Sequence, residues 1–98
     1  MLTNQQRNFL RKMGNSLEPV VWIGKGEITD NIIKQIDDVL EARELVKISL
    51  LSNSENTARE IHDEIVSRLG AEGVQVIGRK ILIYRRSTKK PVIDLPRG

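Results

Sequence analysis

The sequence predicts a mixed α/β domain with the element order α-β-α-β-α-β-β, and three observations carry that prediction. Val74 to Arg86, V-Q-V-I-G-R-K-I-L-I-Y-R-R, sets two β-branched runs on either side of a tight turn containing Gly78, the pattern of an antiparallel hairpin. Upstream, three segments with apolar residues at helical spacing alternate with two short strand-like runs. The length of 98 residues suits one core and leaves no room for a second domain. Right-handed crossovers and an antiparallel closing pair then give a four-stranded mixed sheet.

Thr3-Asn4-Gln5-Gln6 has the spacing of a capping box, and Phe9, Leu10 and Met13 follow at helical spacing. Arg7 and Arg11 are one turn apart on this first helix and project together, and Lys12 adds charge beside them. Gly14-Asn15-Ser16 ends the helix, and Val20 to Ile23 is a wholly apolar run expected to be covered on both faces or inserted centrally. Thr29 caps a second helix running to about Ala42, with Ile32, Ile33, Ile36, Val39 and Leu40 as its apolar stripe. Leu45 to Leu51 alternates Val46, Ile48 and Leu50 with Lys47 and Ser49, a half-exposed strand. Asn53 or Ser54 caps a third helix whose stripe is Ala58, Ile61, Ile65 and Leu69, with Gly70 just past its end. In the hairpin, Val74, Val76, Ile81 and Ile83 are expected to share the core face, and Lys47, Gln75 and Tyr84 to stand in an uncovered row on the other. From about residue 87 to 98 the chain reads as an irregular basic tail from which Val92, Ile93 and Leu95 could dock.

Charge is segregated along the chain. Residues 1–26 carry +3, residues 27–73 carry −6 and residues 74–98 carry +6. If the two basic ends meet in space, they form a basic face opposite an acidic back, the footprint of a phosphate-backbone binder. A solvated surface is the plain alternative. There is no cysteine, which excludes disulfides and thiolate sites and suits a reducing compartment. No apolar run approaches a membrane span and no signal-peptide core opens the chain, so a cytoplasmic protein is expected.

Several of these segments, in order, resemble the small bacterial YhbY-type proteins that consist of a single CRM (chloroplast RNA splicing and ribosome maturation) domain. They are the entry Leu17-Glu18-Pro19-Val20, the loop at Gly24, E-A-R-E-L-V-K-I from Glu41 to Ile48, and V-Q-V-I-G-R-K-I-L-I-Y-R. The resemblance covers nearly the whole chain. It implies an architecture similar to the C-terminal domain of bacterial translation initiation factor three, and association with ribosomal RNA in a large-subunit precursor, assisting ribosome assembly without catalysis.

The residues give that expectation specific places. Gly24-Lys25-Gly26-Glu27 lies where a strand hands over to a helix, a geometry in which glycine and free N–H groups can approach phosphate. CRM domains resemble the KH fold in carrying a G-x-x-G loop there. This chain departs from the pattern, since Glu27 stands where the family has glycine; a carboxylate at a helix N-terminus also has a purely structural use. Arg79 and Lys80 at the turn, with Arg85 and Arg86 at the far end of the hairpin, suit backbone contacts or edge protection. Trp22 and Tyr84 are the aromatics able to stack on a base, but Trp22 sits inside an apolar strand and reads as core.

The candidate RNA-binding set is therefore Arg7, Arg11, Lys12, Gly24, Lys25, Gly26, Lys47, Arg79, Lys80, Tyr84, Arg85 and Arg86. His62, the single histidine, has no partner at metal-ligand or catalytic spacing, so no catalytic residue, metal or cofactor is expected. The competing expectation is a protein-interaction adaptor that docks a basic partner through Asp37, Asp38, Glu41 and Glu44. A monomer is expected in either case.

Overall fold

The computed structural model describes residues 2–24, 28–51 and 58–97. Its elements are helix α1 (Asn4–Asn15), strand β1 (Val21–Ile23), helix α2 (Asp30–Arg43), strand β2 (Leu45–Leu50), helix α3 (Ala58–Leu69) and strands β3 (Glu72–Ile77) and β4 (Lys80–Tyr84), in the predicted order. The sheet runs β1-β2-β4-β3, with β1 parallel to β2 and the other pairs antiparallel.

Local chemistry explains most boundaries. Thr3 Oγ1 accepts the Gln6 N–H and Gln6 Oε1 accepts the Thr3 N–H, each at 3.1 Å, which closes the predicted capping box. Thr29 Oγ1 accepts the Ile32 N–H at 3.2 Å and opens α2. The loop caps expected at Asn53 or Ser54 lie outside the described residues. Gly70, at φ +62°, takes the left-handed turn after α3, and Gly78, at φ +55°, takes the first central position of the hairpin turn. α1 ends at Asn15 with Ser16 as its C-cap, within the expected Gly14-Asn15-Ser16 stretch. Gly14 lies buried in the last turn, where a Cβ would collide with the Leu82 side chain, so its lack of one lets α1 close on β4.

The sheet separates two cores. On one face α2 and α3 bury Ile36, Leu40, Ile61 and Ile65 against Val21, Ile23, Val46, Ile48, Ile81 and Ile83. On the other, α1 buries Leu10 against Leu45, Val74, Leu82 and Tyr84, and Ile93 and Leu95 of the tail pack onto that cluster. Val74 joins this second core, which corrects the expectation from alternation that it shares a face with Val76, Ile81 and Ile83. The register shifts between Gly73 and Gln75, and the extra residue of a bulge turns Val74 to the α1 side.

The stretch after β4 is irregular yet anchored. Glu44 is fully buried at φ +69°, a backbone conformation that favours glycine. Its carboxylate accepts the N–H groups of Ser87, Val92 and Ile93, each at 2.7 Å. One turn earlier, Glu41 Oε2 accepts the Ser87 hydroxyl at 2.6 Å and the Thr88 and Lys89 N–H groups at 2.8 and 3.1 Å. Gln6 Nε2 then donates to the Pro96 carbonyl at 3.0 Å, tying the tail to the start of α1.

Candidate nucleic-acid interface

Strand register determines which of the expected residues can act together. Because Ile23 pairs with Leu50, Ser49 with Lys80 and Ile77 with Lys80, the C-terminal ends of β1 and β2 and the β3–β4 turn share one pole of the sheet. Gly24, Arg79 and Lys80 are all at that pole; Lys25 and Gly26 lie outside the described residues. An added Cβ at Gly24 would sit 3.4 Å from Leu51 Cδ1, a contact a small side chain tolerates. Arg79 is exposed, and its carbonyl accepts the Leu50 N–H at 2.8 Å.

The far end of the hairpin belongs to a different place. Lys80 and Tyr84 are about 13 Å apart along β4 at the usual rise per residue. Tyr84, expected in an uncovered row, is 5% exposed beneath α1 and the tail, so its ring offers no stacking surface. Burial raises its pKa, the Glu44 charge adds to that and Arg86 opposes it. Arg85 follows Ile81 and Ile83 onto the α2 side. There it donates to Asp37 Oδ1 at 2.7 Å, the Asp37 carbonyl at 3.3 Å and the Leu69 carbonyl at 3.1 Å, joining the hairpin to α2 and α3. It is a structural clamp and not an open cation. Arg86 remains exposed but lies beside the tail, away from the turn.

Arg7 and Arg11 do project together, and their target is the edge strand. Arg7 Nε donates to the Gly73 carbonyl at 3.2 Å and Arg11 Nε to the Val74 carbonyl at 3.4 Å, using the carbonyls that the bulge displaces. These bonds fix both guanidinium groups along β3. With Arg59 from the first turn of α3 and the buried His62 they line an open cleft of about 470 Å³, whose described lining includes no carboxylate. His62 Nδ1 lies 2.9 Å from Asp63 Oδ1, and the other edge of its ring packs where a side chain on Gly73 would stand. Arg59 was not among the expected residues. It lies in the acidic middle of the chain, and only the packing of α3 against β3 brings it to Arg7 and Arg11.

Lys12 is exposed on the outer side of α1 beside Phe9 and apart from this cleft. Lys47 is half-buried at a groove lined also by Met13, Leu17 and Val20. Trp22 corrects the expectation of a core residue: β1 is an edge strand, and the indole is 57% exposed on the α1 side of the sheet, beyond the reach of that helix.

The acids of the proposed adaptor surface are occupied within the chain. Asp37 pairs with Arg85, Asp38 with Lys34 at 3.4 Å, and Glu41 and Glu44 hold the tail. The Ser87 hydroxyl is the main cause of a Glu41 pKa lowered to about 2; burial opposes it, while the Lys89 and Thr88 groups assist. For Glu44, burial works to raise the pKa, but the N–H groups of Ser87, Ile93 and Val92, with Arg86, outweigh it and hold the carboxyl below its ordinary range.

Comparison with known proteins decides the family, since the description of the CRS1/YhbY (CRM) domain matches residues 2–85. This chain belongs to the CRM-domain family. It is 42% identical over 96 residues to the "Probable RNA-binding protein YqeI" of Bacillus subtilis, covering 98% of this chain and all of that one. It is 32% identical over 96 residues to an "RNA-binding protein" of Haemophilus influenzae, covering 98% and 96% of the two chains. The solution structure of the hypothetical protein SAV1595 from Staphylococcus aureus is 44% identical and superposes with a TM-score of 0.82, covering 98% of this CRM domain and 100% of that chain.

Proposed function

We propose that this CRM domain binds RNA, and that its target is ribosomal RNA in a large-subunit precursor, whose assembly it assists without catalysis, as a cytoplasmic monomer. The observation that carries RNA binding is the cleft at the β3 edge. Three guanidinium groups converge there, two of them fixed by backbone carbonyls, and the described lining offers no competing carboxylate. Guanidinium groups present planar arrays of donors to phosphate, and fixing them beforehand lowers the ordering cost of binding. Arg79 and Lys80 extend the same charge to the turn. The relatives' names support RNA as the ligand, and the YhbY-type motifs support the ribosome.

Sedimentation of cell extract through sucrose gradients at low and raised salt, with and without nuclease, tests the target. Salt-sensitive migration with large-subunit precursors is expected; recovery only at the top of the gradient under every condition refutes the ribosomal assignment. The double variant Arg59→Ala/Arg79→Ala tests the surface. Losing two phosphate contacts lowers the slope of log affinity against log salt by about 1.4 for single-stranded RNA, across all sequences tried. An unchanged slope in the folded variant moves the contact elsewhere.

A further inference from the structure

The cleft accounts for phosphate but leaves unexplained the upper half of the sheet face that α1 does not cover. Pairing places Trp22 of β1 opposite Ser49 of β2, Ser49 opposite Lys80 of β4, and Lys80 opposite Ile77 of β3, so that four side chains form one row across the sheet. The next row, which contains Lys47, Leu82 and Gln75, is partly closed by α1, whose Gly14 seats on Leu82. Among the described residues, the row above it is exposed at Trp22, Lys80 and Ile77, with Ser49 buried between them. Trp22 is 57% and Ile77 61% exposed at its two ends, and Lys80 Nζ is drawn inward by a 2.8 Å bond to Ser49 Oγ.

Trp22, the one tryptophan of this chain, is more than half exposed on an edge strand, so its indole has surface available for stacking. A cation held two strands from it, with Arg79 at the adjacent turn, makes the row apolar at its ends and positive between them. That pairing suits a strand of nucleotides whose bases lie on the apolar groups while a phosphate meets the cation. A duplex does not fit, because its bases are already stacked on one another and present only backbone. The row spans about 14 Å at the usual strand spacing, the scale on which a four-stranded sheet can accept two or three unstacked bases.

We infer that the Trp22–Ser49–Lys80–Ile77 row is a binding site for an unpaired RNA segment, with a base stacked on Trp22 and its phosphate at Lys80. This rests on the RNA-binding reading and gives it a second, structure-selective element beside the arginine cleft. The ligand class is single-stranded or looped-out RNA; backbone alone occupies the cleft.

The lone tryptophan supplies the assay. The full chain is titrated with a short single-stranded oligoadenylate and with a blunt-ended RNA duplex, following indole fluorescence and, separately, the anisotropy of labelled RNA. The single strand quenches Trp22 and the duplex does not; Trp22→Ala lowers affinity for the single strand about 5- to 150-fold, as loss of one stacked base does, and Trp22→Phe retains most of it. Thermal unfolding of both variants establishes that they fold. If labelled RNA binds with the usual salt dependence while the indole stays unquenched and Trp22→Ala binds as tightly as its parent, the row is overturned and the cleft stands; the open face is then left to a protein. Quenching by the duplex alone overturns it equally. If no RNA binds the parent chain, the RNA-binding reading falls and this site with it.

Discussion

Replacing Glu44 by glutamine changes one atom of a fully buried side chain and should unfold much of what surrounds it. The carboxylate serves three N–H groups at 2.7 Å, Ser87 through Oε2 and Val92 and Ile93 through Oε1. An amide has one acceptor oxygen. Whichever way it turns, its NH₂ group faces either the buried Ser87 donor or the partly buried Val92 and Ile93 pair, and at least one N–H is orphaned at about 1–3 kcal/mol. Surviving bonds also fall from the charge-assisted range of about 1.5–3 kcal/mol to about 0.5–1.5, so the total loss is about 3–6 kcal/mol. A domain of this size has roughly 5–15 kcal/mol in all, and each kcal/mol moves Tm by about 4–8 °C. Glu44→Gly separates the terms, since it relieves about 1–2 kcal/mol of left-handed strain at φ +69° while forfeiting all three bonds. Urea unfolding measures the loss, and hydrogen exchange at the Val92 and Ile93 amides locates it. Glu44→Gln unfolding within about 0.5 kcal/mol of the parent, with those amides still protected, refutes the reasoning.

The other predictions concern the same anchoring and its separation from binding. Arg85→Ala should cost about 1–3 kcal/mol in urea unfolding, because it removes charge-assisted bonds to Asp37 and Leu69, yet leave RNA affinity unchanged in the folded protein; a weakened affinity at full folding returns Arg85 to the interface. Glu41 and Glu44 have folded-state pKa values below their unfolded ones, so their contribution is complete above the ordinary carboxylate range and is lost as pH falls through it toward about 2 for Glu41. Exchange of the tail amides at Thr88 and Lys89 should therefore quicken, relative to intrinsic rates, between pH 5 and pH 2. A tail equally protected at both ends of that window shows that the carboxylates do not hold it.

What could be read from sequence was governed by how local each cause is. Thr3 with Gln6 and Thr29 with Ile32 act over three residues, and the caps they predict are present. The hairpin turn at Gly78 and the stripes of α2 and α3 are likewise short-range patterns. Val74 defeated alternation because a bulge shifts the face by one residue without marking the composition. Trp22 defeated it for another reason: three apolar residues look alike in a central strand and in an edge strand that a helix fails to reach. Glu41, Glu44 and Arg85 find partners more than 40 residues away, so their charges counted as surface until the fold brought those partners in. Arg59 shows the converse, a cation in an acidic segment that packing delivers to Arg7 and Arg11.

The bond from Gln6 to Pro96 has an architectural corollary. Leu2 donates its N–H to Glu72 Oε1 at 3.2 Å, so the chain's beginning and its tail are fastened beside one another at the pole opposite the Gly78 turn. Polypeptide entering or leaving this domain does so side by side, at the end of the sheet far from the Gly78 turn. Such a unit can be inserted into a larger protein, or strung in series, as a bead whose thread passes through one side only, with each Gly78 turn pointing away from the thread.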